Sequence, residues 1–235
     1  ATHNHGQGHE TTLAQVVSAV LGVSAEKIRL RTSEPEFFMT ANPTGGSRTL
    51  LGIGSAMHFA SHEIVKNGMK LAADALESAE ADLEFSSGSY KIKGTDRSIG
   101  IAALAQKYPG KLDLDYKDRP KVPSTFPNGC HIAEVEIDPE TGEAQIEAYV
   151  ACDDAGNIVN HQIVEGQMQG GITQGAGHIF GEQAVYDAET GQLLTGSFMD
   201  YAMPRAGLVG GLRVIDHPVP TATNPLGAKG VGEAG

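Results

Sequence analysis

Apolar positions recur with helical spacing near the start of the chain. Leu13, Val16, Val17, Val20 and Leu21 fall at i, i+3, i+4, i+7 and i+8, the stripe of an amphipathic helix. Gly22 is placed to cap its end. Alternation over 28–32 predicts a short strand, followed by a polar, glycine-containing loop that runs through Arg48. A longer helix is expected over about 53–79, with Ile64, Val65, Met69, Ala72, Ala73 and Leu76 facing inward and Gly68 as its weak point. Residues 83–93 read as a hairpin around a Ser-Gly turn, and Ser98 is placed to cap a short helix ending near 106. The stretch 107–129, rich in proline and charge, is expected to be irregular. Two alternating segments, 131–137 and 144–150, flank a D-P-E-T-G turn and predict a second hairpin. A helix is expected over about 162–179, then a further hairpin turning at 187–191. Strand pairs mixed with long helices, without alternating βαβ units, define an α+β fold.

Composition narrows the function. With 235 residues, 40% apolar and 20% charged, the chain has enough length and apolar content for a buried core. The net charge of −12, without a Lys/Arg block, argues against nucleic-acid and anionic-membrane partners. No apolar run approaches the roughly 20 residues of a membrane span, and no secretion signal is visible. Cys130 and Cys152 can pair but form no disulfide framework or CxxC site, so a reducing, cytoplasmic setting is expected. Glycine is the outlying residue, 30 of 235 against an average near 7%. It clusters at 6–8, 45–54, 166–181, 207–211 and 227–235, a distribution that suits close approach of backbone to backbone or to a ligand.

Four of these clusters carry candidate chemistry. His3, His5, His9 and Glu10 invite a metal reading, but the HExxH pattern fails because Leu13 stands four beyond His9. Gly6-Gln-Gly8 leading into a helix N-terminus suits an anion better, with Gln7 able to meet a heterocycle edge. Gly45-Gly-Ser-Arg48 combines small residues, a hydroxyl and a guanidinium suited to phosphate, or is simply a capped loop. Between Gly166 and Gly177, five glycines interleave with Gln167, Gln169 and Gln174. Each glycine costs a helix about 1 kcal/mol relative to alanine. Either a tight helix crossing or a ligand in the groove offsets that. Finally, Glu233 is the one carboxylate in the glycine-rich run 224–235, with Lys229 nearby; it is a positioned general base or a solvated surface group.

In this order, the motifs resemble the molybdenum-binding large subunit of the xanthine dehydrogenase, aldehyde oxidase and carbon monoxide dehydrogenase family. The matching elements are Gly6-Gln-Gly-His-Glu-Thr-Thr12, Gly45-Gly-Ser-Arg48, Asn160, Gly166-Gln-Met-Gln-Gly-Gly171, Gln174-Gly175, Gly196-Ser-Phe-Met-Asp-Tyr201 and the specific run Pro225–Gly235. The resemblance implies part of a duplicated, two-lobed α+β domain, 1–235, that clamps molybdopterin or molybdopterin cytosine dinucleotide with its molybdenum. It places Gln7, Gly8, His9, Thr11 and Thr12 along one side of the cofactor, Ser47 and Arg48 at its phosphate or dinucleotide portion, Gln167 and Gln169 at the pterin, and Asn160 among the cofactor-binding residues. Lys229, Gly230 and Val231 would approach the metal end, with no side chain assigned as a metal ligand. The implied activity is oxidative hydroxylation of a small-molecule aldehyde or N-heterocycle with Glu233 as general base. Partners implied are the remaining large-subunit segments, iron–sulfur and FAD subunits, and an oligomeric assembly. The match begins inside one motif and stops straight after another, so a fragment truncated at both ends is expected. Alone, such a fragment is expected to hold Glu233 loosely, to bind cofactor weakly or not at all, and to act at most as an interaction module.

Overall fold

The computed structural model describes residues 2–32, 44–118 and 120–235, and its contacts divide the chain into two compact units. The first comprises residues 1–124 with 222–227; the second comprises 125–221 with 228–235.

In the first unit, helix α1 (His9–Leu21) buries Leu13, Ala14 and Val16, and Gly22 ends it with φ 61° and an N–H bonded to the Ser18 carbonyl, as the apolar stripe predicts. The strand expected at 28–32 does not form. A single 3₁₀ turn, Ala25–Lys27, precedes it, and among the described residues no strand pairs with it, so alternation alone is insufficient. Most of the loop expected next falls at 33–43, outside the described residues. The second long helix opens with a wider π turn, Leu50–Gly54, and continues as α2 (Ser55–Leu76), ending at Glu77 with φ 52°. Its predicted inner face holds: Ala72, Ala73 and Leu76 are buried with Leu83, Tyr90, Ile101 and Leu104, and Ile64, Val65 and Met69 pack beside them.

The partner of α2 is a three-stranded antiparallel sheet, β1 (Leu83–Ser86), β2 (Ser89–Ile92) and β3 (Ser98–Gly100). Its first turn is the expected Ser87-Gly88 pair, both at positive φ, which matches the twist of a two-residue hairpin. Ser98 is not a helix cap. It pairs with Lys91 inside β3, and helix α3 (Ile101–Lys107) starts three residues later behind Gly100, because that pairing already uses the Ser98 backbone.

Gly68 has a structural purpose that helix propensity does not reveal. A Cβ there would lie 2.0 Å from the Tyr90 hydroxyl oxygen and 2.6 Å from its ring carbon. The missing side chain is the notch into which Tyr90, fully buried, inserts to donate a hydrogen bond of 3.0 Å to the Val65 carbonyl. Burial pushes the phenol up to about 12, so it stays a donor at any physiological pH.

The second unit is built on β4 (Gly129–Ile137) and β5 (Ala144–Asp153), the predicted hairpin. Its Asp138 carboxylate accepts hydrogen bonds from the N–H groups of Glu140 and Thr141, and Asp187 repeats the device in the second D-x-E-T-G turn with Glu189 and Thr190. Around that second turn only an isolated bridge forms, Tyr186 to Leu193, rather than two strands. Helix α4 (His161–Phe180) follows, capped by the Asn160 side-chain oxygen, which accepts from the Ile163 N–H at 3.0 Å. A strand absent from the sequence reading, β6 (Leu212–Asp216), pairs in parallel with β5, so one β–α–β crossover does occur. Ala151, Met168 and Ile172 form the buried core between sheet and helix. Cys130 and Cys152 stand directly opposite each other on β4 and β5 as free thiols.

Two glycine substitutions test this account of the helices by urea unfolding. Gly68→Ala is expected to lower stability by about 1–3 kcal/mol through overpacking against Tyr90, despite a helix-propensity gain of about 1 kcal/mol. Gly170→Ala on α4, where nothing lies within 4 Å of the added methyl, is expected to hold or raise stability by up to about 1 kcal/mol.

Candidate functional site

Residues of the first unit bring two of the glycine clusters together. Thr44 Oγ1 donates to the His3 carbonyl at 2.7 Å and lies 2.8 Å from Thr2 Oγ1, tying the loop that precedes α2 to the loop that precedes α1. Gly6 and Gly8 take φ of 95° and 75°, conformations that only glycine adopts without strain, and they swing the chain into the first turn of α1. At the two helix starts, Gly8, before α1, has no side chain to cap it, and the Thr49 side chain makes no capping bond to the turn at Leu50–Gly54. Ser47, itself at φ 51°, and the exposed Arg48 stand at the second of these starts.

His9 is 8% exposed, and its Nδ1 is buried without a hydrogen-bond partner. Burial pushes the imidazole down, the neighbouring His5 adds to that, and a hydrogen bond with the His3 backbone opposes it. Leaving an atom such as this Nδ1 buried and unpaired costs about 1–3 kcal/mol. Gln7 is turned into its own loop, accepting from the His5 N–H and donating to the His3 carbonyl. Thr11 is exposed and Thr12 half-buried on the first turn of α1. Among the described residues no three His, Cys, Asp or Glu side chains are grouped to hold a metal ion.

In the second unit, α4 separates its faces cleanly. Met168, Ile172 and Ala176 repeat every fourth residue and are buried; Gly166, Gly170 and Gln174 repeat every fourth residue, two positions out of phase, and are exposed. The glycines therefore divide. A Cβ at Gly171 would meet the Gly235 backbone at 2.9 Å, and one at Gly177 would meet the Glu182 carboxylate and Pro204, so these two serve packing. Among the described residues nothing lies within 4 Å of a Cβ at Gly166, Gly170 or Gly175. Gln167 and Gln169 flank this open face, both half-buried, with Gln169 Nε2 donating to Glu165 at 2.9 Å.

Residues 228–235 form the last part of the second unit. Val231 and Ala234 pack against the Ala151, Met168 and Ile172 core, and the Ala234 N–H bonds the Val231 carbonyl at 3.2 Å. Glu233 stands exposed on the turn between these two packed residues. Gly230 is buried, its N–H directed at Thr125 Oγ1.

Lys229 is committed within the unit. Its ammonium forms an ion pair with Asp154, and its N–H donates to the Ala155 carbonyl at 2.8 Å. Asp154 is 5% exposed and was not singled out in the sequence, because a lone Asp after a strand carries no motif. Its Oδ1 also accepts from the N–H groups of Gly156 and Val219, each at 2.8 Å. Burial pushes the Asp154 carboxyl up, but Lys229 and the two backbone donors outweigh it and hold it below the ordinary carboxylate range.

With these arrangements in view, comparison with known proteins is informative. The model of the molybdopterin cofactor-binding domain matches residues 1–209. The chain belongs to that family. It is 36% identical over 244 residues to the carbon monoxide dehydrogenase large chain of Hydrogenophaga pseudoflava and 34% identical over 248 residues to the nicotine 6-hydroxylase large subunit of Paenarthrobacter nicotinovorans, each match covering 99% of this chain and 30% of the relative. It is also similar to the solved structure of reconstituted CO dehydrogenase from Oligotropha carboxidovorans, with a TM-score of 0.85, 32% identity, and the same 99% and 30% coverage. The chain therefore spans about 30% of the length of these relatives. Among the described residues no helix is long and apolar enough to cross a membrane.

The chemistry of the residues fits a flat, phosphorylated cofactor. In the first unit the loops leading into α1 and α2, with Ser47 and Arg48, suit phosphate and the buried His9 Nδ1 suits a heterocycle nitrogen or oxygen; in the second, the open, glutamine-flanked glycine face of α4 suits a heterocycle.

The depressed Asp154 carboxyl has a pH consequence. Its stabilisation is fully present above the unfolded carboxylate value, near pH 4, and is lost as pH falls through the lower folded value. Urea midpoints of the chain and its Asp154→Asn variant, followed from pH 7 downward, are expected to differ most above about pH 4 and to converge in stronger acid. A gap independent of pH would contradict this.

Proposed function

We propose that these residues form part of the molybdenum-binding large subunit of a hydroxylase that carries out oxidative hydroxylation of an aldehyde or N-heterocycle, with Glu233 as general base. The observation that carries the reading is the anchored turn: an exposed carboxylate whose two flanks, Val231 and Ala234, are packed into a core shared with α4. A base must be held within hydrogen-bond reach of the proton it removes, and packing of its flanks provides that constraint.

Gly8, His9, Thr11 and Thr12, with Gln7 once turned outward, would line the cofactor on the α1 side. Ser47 and Arg48 would hold its phosphates, and the α4 face with Gln167 and Gln169, positioned by the Asn160 cap, would receive the pterin. Gly230 and Val231 would contribute backbone beside the metal end, with Lys229 fixing that segment. Bound there, molybdopterin or its cytosine dinucleotide would supply the two-electron redox centre. This chain's part is to orient it and to take up a proton on the Glu233 carboxylate. Electrons would leave through iron–sulfur and FAD subunits. The exposed apolar residues Phe126, Ile179, Phe198 and Met199 suit contact with the remaining large-subunit segments and a larger assembly.

Glu233→Gln in the full-length subunit within its complex is the test. With an aldehyde or N-heterocycle that the unaltered enzyme oxidises, kcat is expected to fall about 10²–10⁴-fold while molybdenum and pterin content stay unchanged. Retention of more than about a tenth of the activity would remove Glu233 from the role of base.

A further inference from the structure

The Asp154 carboxylate joins three stretches of chain that are remote in sequence. It accepts from its own loop at Gly156, from the segment after β6 at Val219, and from Lys229, four residues before Glu233. Two further bonds lock the same place: Lys229 N–H to the Ala155 carbonyl, and an antiparallel bridge between Gly156 and Ala228. Both ends of the ion pair are buried, Lys229 at 13% and Asp154 at 6% side-chain exposure. Buried pairs of this kind add little stability over a neutral pair of the same shape, and their best-supported use is to select one arrangement among several.

We propose that Asp154 is a positioning residue for Glu233, its ion pair with Lys229 setting where the 228–235 segment enters the turn that carries the base. The proposal rests on the reading of Glu233 as base. Lys229 then acts on the reaction through geometry, and its ammonium is not available to a ligand. Between the clamp and the base stand only Gly230, Val231 and Gly232, of which Gly230 and Val231 are themselves packed. A shift at Lys229 therefore passes directly to the carboxylate, and misplacement by about 1 Å costs on the order of 10²-fold in rate.

Asp154→Asn keeps the shape and one acceptor oxygen but removes the charge that holds Lys229. In the full-length holoenzyme it is expected to lower kcat about 10–100-fold with KM changed less than about threefold and with molybdenum and pterin content intact. In the same variant, deuterium exchange at the Lys229 and Gly230 amides is expected to rise at least about tenfold. The double variant Asp154→Asn with Lys229→Met leaves no unpaired charge, so its melting temperature is expected to recover while kcat stays low. Recovery of kcat together with melting temperature would reduce Asp154 to a structural role and overturn the proposal. So would a kcat within about twofold of the unaltered enzyme in Asp154→Asn. Glu233→Gln measured alongside separates the two ideas: an active Glu233→Gln enzyme refutes the base, whereas unchanged amide exchange in Asp154→Asn refutes the clamp.

Discussion

Close approach to bare backbone is the constraint on which the structure turns. Where a side chain is missing, another group enters to van der Waals distance, and the fold uses this at Gly68 to seat Tyr90 and at Gly171 to seat the segment ending in Gly235. Elsewhere, at Gly6, Gly45, Gly166 and Gly170, an added Cβ would meet nothing within 4 Å among the described residues. A helix that carries Gly166 and Gly170 on its exposed face sacrifices about 1 kcal/mol at each, with no packing partner among the described residues to offset it. Within each unit, these open positions are surfaces suited to a ligand.

The second organising element is ionic. Asp154 and Lys229 hold the start of the 228–235 segment, apolar packing of Val231 and Ala234 holds its continuation, and Glu233 is presented between them. This explains how a carboxylate in a glycine-rich run can have a defined place. The mobility that such a composition suggests is countered by a buried charge pair on one side and a hydrophobic core on the other.

Much of this was legible in the sequence wherever a period or a turn chemistry was involved. The stripe Leu13–Leu21, the inner face of α2, the two D-x-E-T-G turns and the Ser87-Gly88 hairpin all follow from local rules. Long-range effects were not legible. Residues 28–32 alternate but have no strand beside them among the described residues; β6 is too short to announce itself and exists because β5 offers it an edge; Gly68 reads as a defect until Tyr90 is brought to it. For the site, residue types and order were readable through the family resemblance. The division of the α4 glycines into packed and open, and the Asp154 partner of Lys229, depend on contacts between segments tens of residues apart.

The central claim is that the open glycine surfaces are ligand surfaces. The most direct test is deuterium exchange at the backbone N–H groups of residues 6–9 and 45–48, compared between cofactor-loaded and cofactor-stripped forms of the full-length subunit. The account predicts strong protection of both segments on loading, because their N–H groups would then meet phosphate or pterin acceptors. Equal exchange in the two forms at both segments would contradict it.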